Sequence, residues 1–298
     1  MPVSDNHEEE VEDPLVPASI GVPGKTAGSH CTACGKTVVE QETIPAIKTV
    51  ALSRTSYTYN EKMQRPSVTV TDTKGTRLTS AAYTVQYPSG CTNAGTYAVK
   101  VIFKGNYKGN KSLSYKILPA SQTITVKVST RTYSYSAVKA KAQTFTVGAL
   151  AKTALSYKSS NTKYVTVDKN GKVTIKKGTP GGTYKITVTA AKSTNYYAAS
   201  KDVIIKINPV SQTIKTKVSS KTYKYAAVKA GKQTFSIGAT AKTSLSYKSS
   251  NTKYITVSKK GTVTVKKGTP KGTYKVTVTA AKSANYKAAT KVIKIKIS

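Results

Sequence analysis

Carboxylates, histidine, cysteine and tryptophan are all scarce in this chain of 298 residues: 12 Asp plus Glu against 48 Lys plus Arg, 2 His, 3 Cys and no Trp. Six of the acids (Asp5, Glu8, Glu9, Glu10, Glu12 and Asp13) sit in the first thirteen residues, and residues 211–298 hold none. An acid–base or nucleophilic enzyme needs a group that titrates near neutrality, and His7 and His30 both fall near the N-terminus. The same shortage argues against structural Ca2+ sites and against Lys–Asn isopeptide crosslinks, both of which need carboxyl groups. Cys31, Cys34 and Cys91 all precede residue 121, so residues 121–298 carry no intersheet disulfide. No apolar run reaches the eighteen residues of a membrane-spanning helix. Residues 1–13 are acidic and polar, without the basic-then-apolar pattern of a secretory signal. The chain therefore reads as either cytosolic or an N-terminally incomplete piece of something longer.

What is present is alternation. Across residues 157–190, Val165 and Val167, then Val173 and Ile175, then Tyr184, Ile186, Val188 and Ala190 alternate with Thr and Lys, the pattern of strands buried on one face. Asn170-Gly171 between the first two runs is a two-residue hairpin signal, because both residues tolerate positive φ. The stretch returns at residues 247–280. The copies align without a gap from Ser121 and Ser211, 90 residues apart, and about seven positions in ten are identical, the mark of a duplicated unit. Strands are expected near residues 122–128, 143–149, 155–159, 164–167, 172–176, 183–190 and 202–207. That count and spacing suit a Greek-key sandwich.

Residues 47–120 form a divergent first module, with strands expected near 51–59, 67–72, 83–87, 95–103 and 111–118. It shares three marks with its neighbours. Tyr57-Thr58-Tyr59 matches Tyr133-Ser134-Tyr135 and Tyr223-Lys224-Tyr225; Gly95-Thr96-Tyr97 matches residues 182–184 and 272–274; Asn106-Tyr107 matches Asn195-Tyr196 and Asn285-Tyr286. The expected fold is all-β: three tandem immunoglobulin-like Greek-key β-sandwiches over 47–120, 121–209 and 210–298, preceded by a disordered tail or linker over 1–46. The junctions around Pro119 and Pro209 are short, which predicts sandwiches joined stiffly in a rod. Within the tail, His30-Cys31-Thr32-Ala33-Cys34-Gly35 is half of a zinc ribbon. Its missing second Cys pair leaves Cys31 and Cys34 as a weak metal candidate beside a vestigial or redox-active reading, and no cofactor is expected.

Ser159-Ser160-Asn161, Val165-Thr166-Val167, Gly171-Lys172-Val173 and Ile186-Thr187-Val188-Thr189-Ala190 resemble the bacterial immunoglobulin-like group 2 domain, found as tandem stalk modules in surface proteins and adhesins of the intimin and invasin type. Tyr157 and Tyr247 stand where that family usually has Trp. The first module, with Tyr57-Thr58-Tyr59-Asn60, Arg65-Pro66 and residues 93–97, resembles a related unit of secreted clostridial-type proteins, which a His-Cys-x-x-Cys-Gly unit often precedes. The resemblance implies an extracellular or cell-surface location and favours the incomplete-piece reading.

Tyr97, Tyr184 and Tyr274, each following Gly-Thr, are expected to anchor a loop through the phenol hydroxyl, as a tyrosine corner does. The formal charge of +36 predicts attraction to polyanions. The candidate contact residues are Lys172, Lys176, Lys185, Lys192, Tyr196 and Tyr197 in the second module. In the third they are Lys266, Lys267, Lys275, Lys282, Tyr286 and Lys287. The plain alternative is that such lysines protect sheet edges and keep the chain soluble. Three functions follow: a non-enzymatic stalk or adhesion module; a protein that binds an anionic cell-wall phosphopolymer, an acidic host glycan or, non-specifically, nucleic acid; and a self-assembling subunit whose acidic residues 5–13 dock on a neighbour's third module.

Overall fold

The computed structural model describes residues 9–298, and the alternating stretches form strands with one buried face throughout. By packing, the described residues up to Thr123 group with Ala191–Ala199 as one compact unit, and Ile124–Ala190 with Ser200–Ser298 as a second.

In the first unit, the stretch expected to be linker carries five short strands: β1 (Glu10–Asp13), β2 (Gly24–Lys25), β3 (Gly28–Cys31), β4 (Thr37–Val39) and β5 (Thr43–Ile44). They make two small sheets, β1-β3-β4 and β2-β5, over buried Ala18, Cys31, Ile44 and Ala46. Elements of two to four residues are too short to show a period, so composition alone pointed to a tail. The first sandwich follows with β6 (Ile47–Leu52), β7 (Ser56–Thr58), β8 (Val68–Asp72), β9 (Tyr83–Gln86), β10 (Gly95–Phe103) and β11 (Asn110–Leu118). Sheet β6-β8 faces sheet β7-β11-β10-β9, with Val70, Val99, Val101 and Ile117 between them. The single strand expected at 51–59 is two strands, because the chain changes sheets between Leu52 and Ser56.

The second unit holds two nearly identical sandwiches. The earlier has β12 (Thr125–Val126), β13 (Thr130–Ser134), helix α1 (Tyr135–Ala140), β14 (Gln143–Thr146), β15 (Ala149–Leu150), β16 (Leu155–Ser159), β17 (Val165–Val167), β18 (Lys172–Ile175), β19 (Gly182–Ala190) and β20 (Ala199–Asn208). Its sheets run β13-β20-β19-β16, with β13 parallel to β20, and β14-β18-β17, and β12 pairs with β15 in a small third sheet. The later sandwich repeats this with β21 (Ser220–Tyr223), α2 (Tyr225–Ala230), β22 (Gln233–Ser236), β23 (Leu245–Ser249), β24 (Ile255–Val257), β25 (Thr262–Val265), β26 (Gly272–Ala280) and β27 (Ala289–Ile297). Its sheets are β21-β27-β26-β23 and β22-β25-β24. Ile186 and Val188, like Val276 and Val278, are wholly buried.

Two local expectations are corrected. The hairpin at Asn170-Gly171 has a three-residue loop, since Asp168 N still donates to Lys172 O (3.1 Å). Gly171 alone takes positive φ (74°), and Asp168 Oδ1 accepts from Asn170 N and Lys172 N, so a type I turn followed by a left-handed glycine closes the hairpin. The strand β13 and helix α1 escaped the strand count altogether. A helix of six residues buries only Tyr135 and Val138, too few positions to show a 3.6-residue period.

Candidate functional sites: a repeated loop clamp and the lysine faces

The three marks shared by the modules are parts of one device. Tyr97 Oη donates to Asn93 O (2.7 Å), Tyr184 Oη to Pro180 O (3.0 Å) and Tyr274 Oη to Pro270 O (3.0 Å). Each phenol thus ties down the loop entering its strand, as expected of a tyrosine corner. Burial, joined by the neighbouring Tyr164 and Tyr254, pushes the Tyr184 and Tyr274 phenols above their ordinary value.

The loop so fixed presents one backbone amide. In the first unit, Asn195 Oδ1 accepts from Ala94 N (2.8 Å) and Asn195 Nδ2 donates to Asn93 Oδ1 (2.9 Å). In the second unit, Asn285 Oδ1 accepts from Gly181 N (2.8 Å), joining the third sandwich to the second. A Cβ on Gly181 would lie 1.8 Å from Ala284 O, so this seam is closer than the first unit's, where Ala94 makes the same bond with its Cβ in place. The following tyrosines meet the Tyr-x-Tyr mark edge-on: Tyr196 against Tyr59 (centroids 5.4 Å apart) and Tyr286 against Tyr135 (5.6 Å). Tyr196 Oη also donates to Glu61 Oε1 (2.9 Å), and Glu61 holds a left-handed backbone (φ 67°) to offer it.

A backbone exchange completes the clamp. Val210 N donates to Asn285 O (3.0 Å) and Lys287 N to Val210 O (2.9 Å); Ala120 N donates to Asn195 O (2.9 Å) and Tyr197 N to Ala120 O (3.0 Å). The same pair recurs where Ala18 N donates to Asn106 O (2.9 Å) and Lys108 N to Ala18 O (2.8 Å). A signal for it was in the sequence, as Pro17-Ala18-Ser19, Pro119-Ala120-Ser121 and Pro209-Val210-Ser211. In the sequence alone, Pro119 and Pro209 mark only short junctions.

The structure does not gather the candidate polyanion contacts into one surface. Lys172 lies on β18, in the three-stranded sheet, whereas Lys185 lies on β19, in the four-stranded sheet, so their exposed side chains leave opposite faces of the sandwich. Lys176 Nζ donates to Thr162 O (3.1 Å) and Lys266 Nζ to Thr252 O (3.2 Å), each spanning a loop. Lys185 pairs with Asp202 (3.0 Å), and Thr187 Oγ1 donates to the same carboxylate (2.7 Å). Those two hydrogen bonds and the ammonium charge hold Asp202 below the usual carboxylate range. Lys192, Lys267, Lys275, Lys282, Lys287 and Tyr197 are exposed. Tyr196 and Tyr286, expected as exposed stacking platforms, are half-buried in the clamp, with their ring edges and backbone already engaged.

At the half ribbon, Cys31 is buried and Cys34 exposed, and Gly35 N donates to Cys31 O (2.8 Å) in the turn joining β3 to β4. His30 Nδ1 faces Asp13 (3.1 Å). Among the described residues no group of three or more His, Cys, Asp or Glu is placed to hold a metal ion. His7, Asp5 and Glu8 lie outside the described residues. Among the described residues, no helix is long and apolar enough to cross a membrane.

Residues 133–192 match the family described as the intimin immunoglobulin-like domain. No curated protein matches the sequence. Similar solved structures include immunoglobulin domains 1–4 of Sidekick-1 (12% identity, covering 93% of this chain and 82% of that one, TM-score 0.34). They also include Drosophila N-cadherin EC1-4 (11% identity, covering 100% and 94%, TM-score 0.32). Superpositions this loose show neither shared ancestry nor shared function.

Proposed function

Taking residues 133–192 as an immunoglobulin-like domain of the intimin kind, repeated 90 residues on, we propose that the chain is a non-enzymatic extracellular stalk or adhesion module of a bacterial surface or secreted protein. The observation that carries this reading is the clamp at Asn285 and Gly181. It devotes a hydrogen bond and a tyrosine pair to holding one sandwich against the next, while a backbone exchange fastens Val210 of the junction to the third sandwich's own loop. A domain that works by position needs that fixation; an enzyme would need titratable groups converging on a pocket.

The test is labelling of intact cells that make the native protein, with an antibody against residues 211–298. Labelling before lysis is the expected outcome, and its loss after brief external proteolysis would match a surface module. Labelling only after lysis would overturn the reading.

A further inference from the structure

The outward face of the third module's four-stranded sheet differs from its counterpart in the second, and the difference is one of charge. Strand alternation puts Lys248 of β23, Lys275 of β26, and Lys294 and Lys296 of β27 on this face. The register sets Lys275 directly opposite Lys294, Thr273 opposite Lys296, and Lys248 opposite Thr277. Cross-strand partners have Cβ atoms about 5 Å apart, and alternate residues along a strand are about 6.6 Å apart. Four ammonium groups therefore share a small patch. Like charges placed directly opposite destabilise a sheet, and residues 211–298 hold no Asp or Glu to offset them.

In the second module the equivalent face carries Lys158, Lys185 and Lys206 with Asp202, which pairs with Lys185 at 3.0 Å. Two substitutions change the charge of the face: Val292 stands where the earlier repeat has Asp202, and Lys294 where it has Ile204. The first removes the counter-charge and the second adds a cation beside the lysine just released. Apart from Val292, the remaining outward side chains are Ser or Thr, such as Ser220, Thr222, Thr273 and Thr277.

We propose that this face binds a flexible linear phosphodiester polymer, whose successive phosphates occupy the place of the missing carboxylate between Lys275 and Lys294 and continue over Lys248 and Lys296. Ammonium and hydroxyl groups are donors matched to phosphate oxygens. The face has no aromatic ring on which bases or sugars would stack, and a sheet face offers no helix or ribbon to enter a duplex groove. A flexible chain can follow the diagonal of charges where a rigid duplex cannot. The inference is independent of whether the protein is a stalk.

The experiment measures binding of a labelled synthetic poly(glycerol phosphate) to the full chain by fluorescence anisotropy across about 0.05–0.2 M salt. The double variant V292D/K294I transplants residues that the second module already accommodates at the same sheet positions. It is expected to weaken binding at least about tenfold and to flatten the log K against log salt slope by roughly 0.7–1.4, the loss of one to two phosphate contacts. The control S258D/K260N makes the same change in net charge at the β24–β25 turn, again with residues of the earlier repeat, and is expected to bind as the parent does. Equal loss in the control would overturn the proposal, reducing it to bulk charge. So would an unchanged V292D/K294I variant, or duplex DNA binding as tightly as the flexible polymer.

Discussion

At the scale of single residues, the duplicated modules act as each other's controls. The hydroxyls of Tyr133 and Tyr223 are buried at equivalent positions without a hydrogen-bond partner among the described residues. Burying an unsatisfied hydroxyl costs about 1–3 kcal/mol, so Tyr223→Phe is expected to leave stability unchanged or raise it. Tyr184→Phe, which loses the bond to Pro180 O, is expected to lower it by roughly 1 kcal/mol; denaturant unfolding of the two variants side by side measures both signs. The helix ends offer a second comparison. Ser134 Oγ accepts from Ala137 N (3.3 Å) to cap α1, whereas Lys224 begins α2 with no side-chain cap and a positive charge at the wrong end of the dipole. Lys224→Ser is expected to stabilise the third module by about 0.5–1 kcal/mol, read from its unfolding midpoint in urea.

At the scale of elements, the clamp joining the second and third sandwiches rests on Gly181. Gly181→Ala would bring Cβ against the Ala284 carbonyl, so the two backbones must move apart there, toward the spacing at which Ala94 makes the equivalent bond in the first unit. Asn285→Ala removes only the side-chain acceptor and is expected to cost about 1 kcal/mol. Both variants should make the 208–211 junction cleave faster under limited proteolysis, Gly181→Ala the more so, while each sandwich keeps its fold. How far these elements could be read beforehand follows from the range of the interactions. Period-two runs such as residues 183–190 report burial locally, and the tyrosine corner is a bond across four residues, so both were legible. The clamp joins Ala18 to Asn106 and Gly181 to Asn285, far apart in the chain, so the recurring marks showed that something was shared but not that the marks touch. Short β13, α1 and the ribbon strands lacked the length for any period to emerge.

At the scale of the whole molecule, stability against pH should be governed by tyrosine. Burial raises the phenols of Tyr87, Tyr107, Tyr115, Tyr184, Tyr223 and Tyr274 above the ordinary value of 10.0. The folded state therefore favours the neutral phenol. Its contribution is fully present below the unfolded pKa and is lost as pH rises through the raised folded values. The unfolding midpoint is expected to fall as pH climbs past 10, in step with phenolate absorbance. Asp202 works the other way: its depressed pKa adds stability above the unfolded value of 3.8 that is lost on acidification, weakly, because solvent screens an exposed pair.

The glycine at 181 also bears on how such an array can grow. Near-identical repeats invite unequal recombination, which adds copies of one repeat or the other. An extra second repeat brings its own glycine to the new seam, whereas an extra third repeat brings Lys271 there, a residue whose side chain lies over Tyr225 (5.9 Å) where the next loop would have to seat. Duplicating the second repeat therefore keeps a seam of the kind seen at Gly181, whereas duplicating the third would require Lys271 to leave its place over Tyr225.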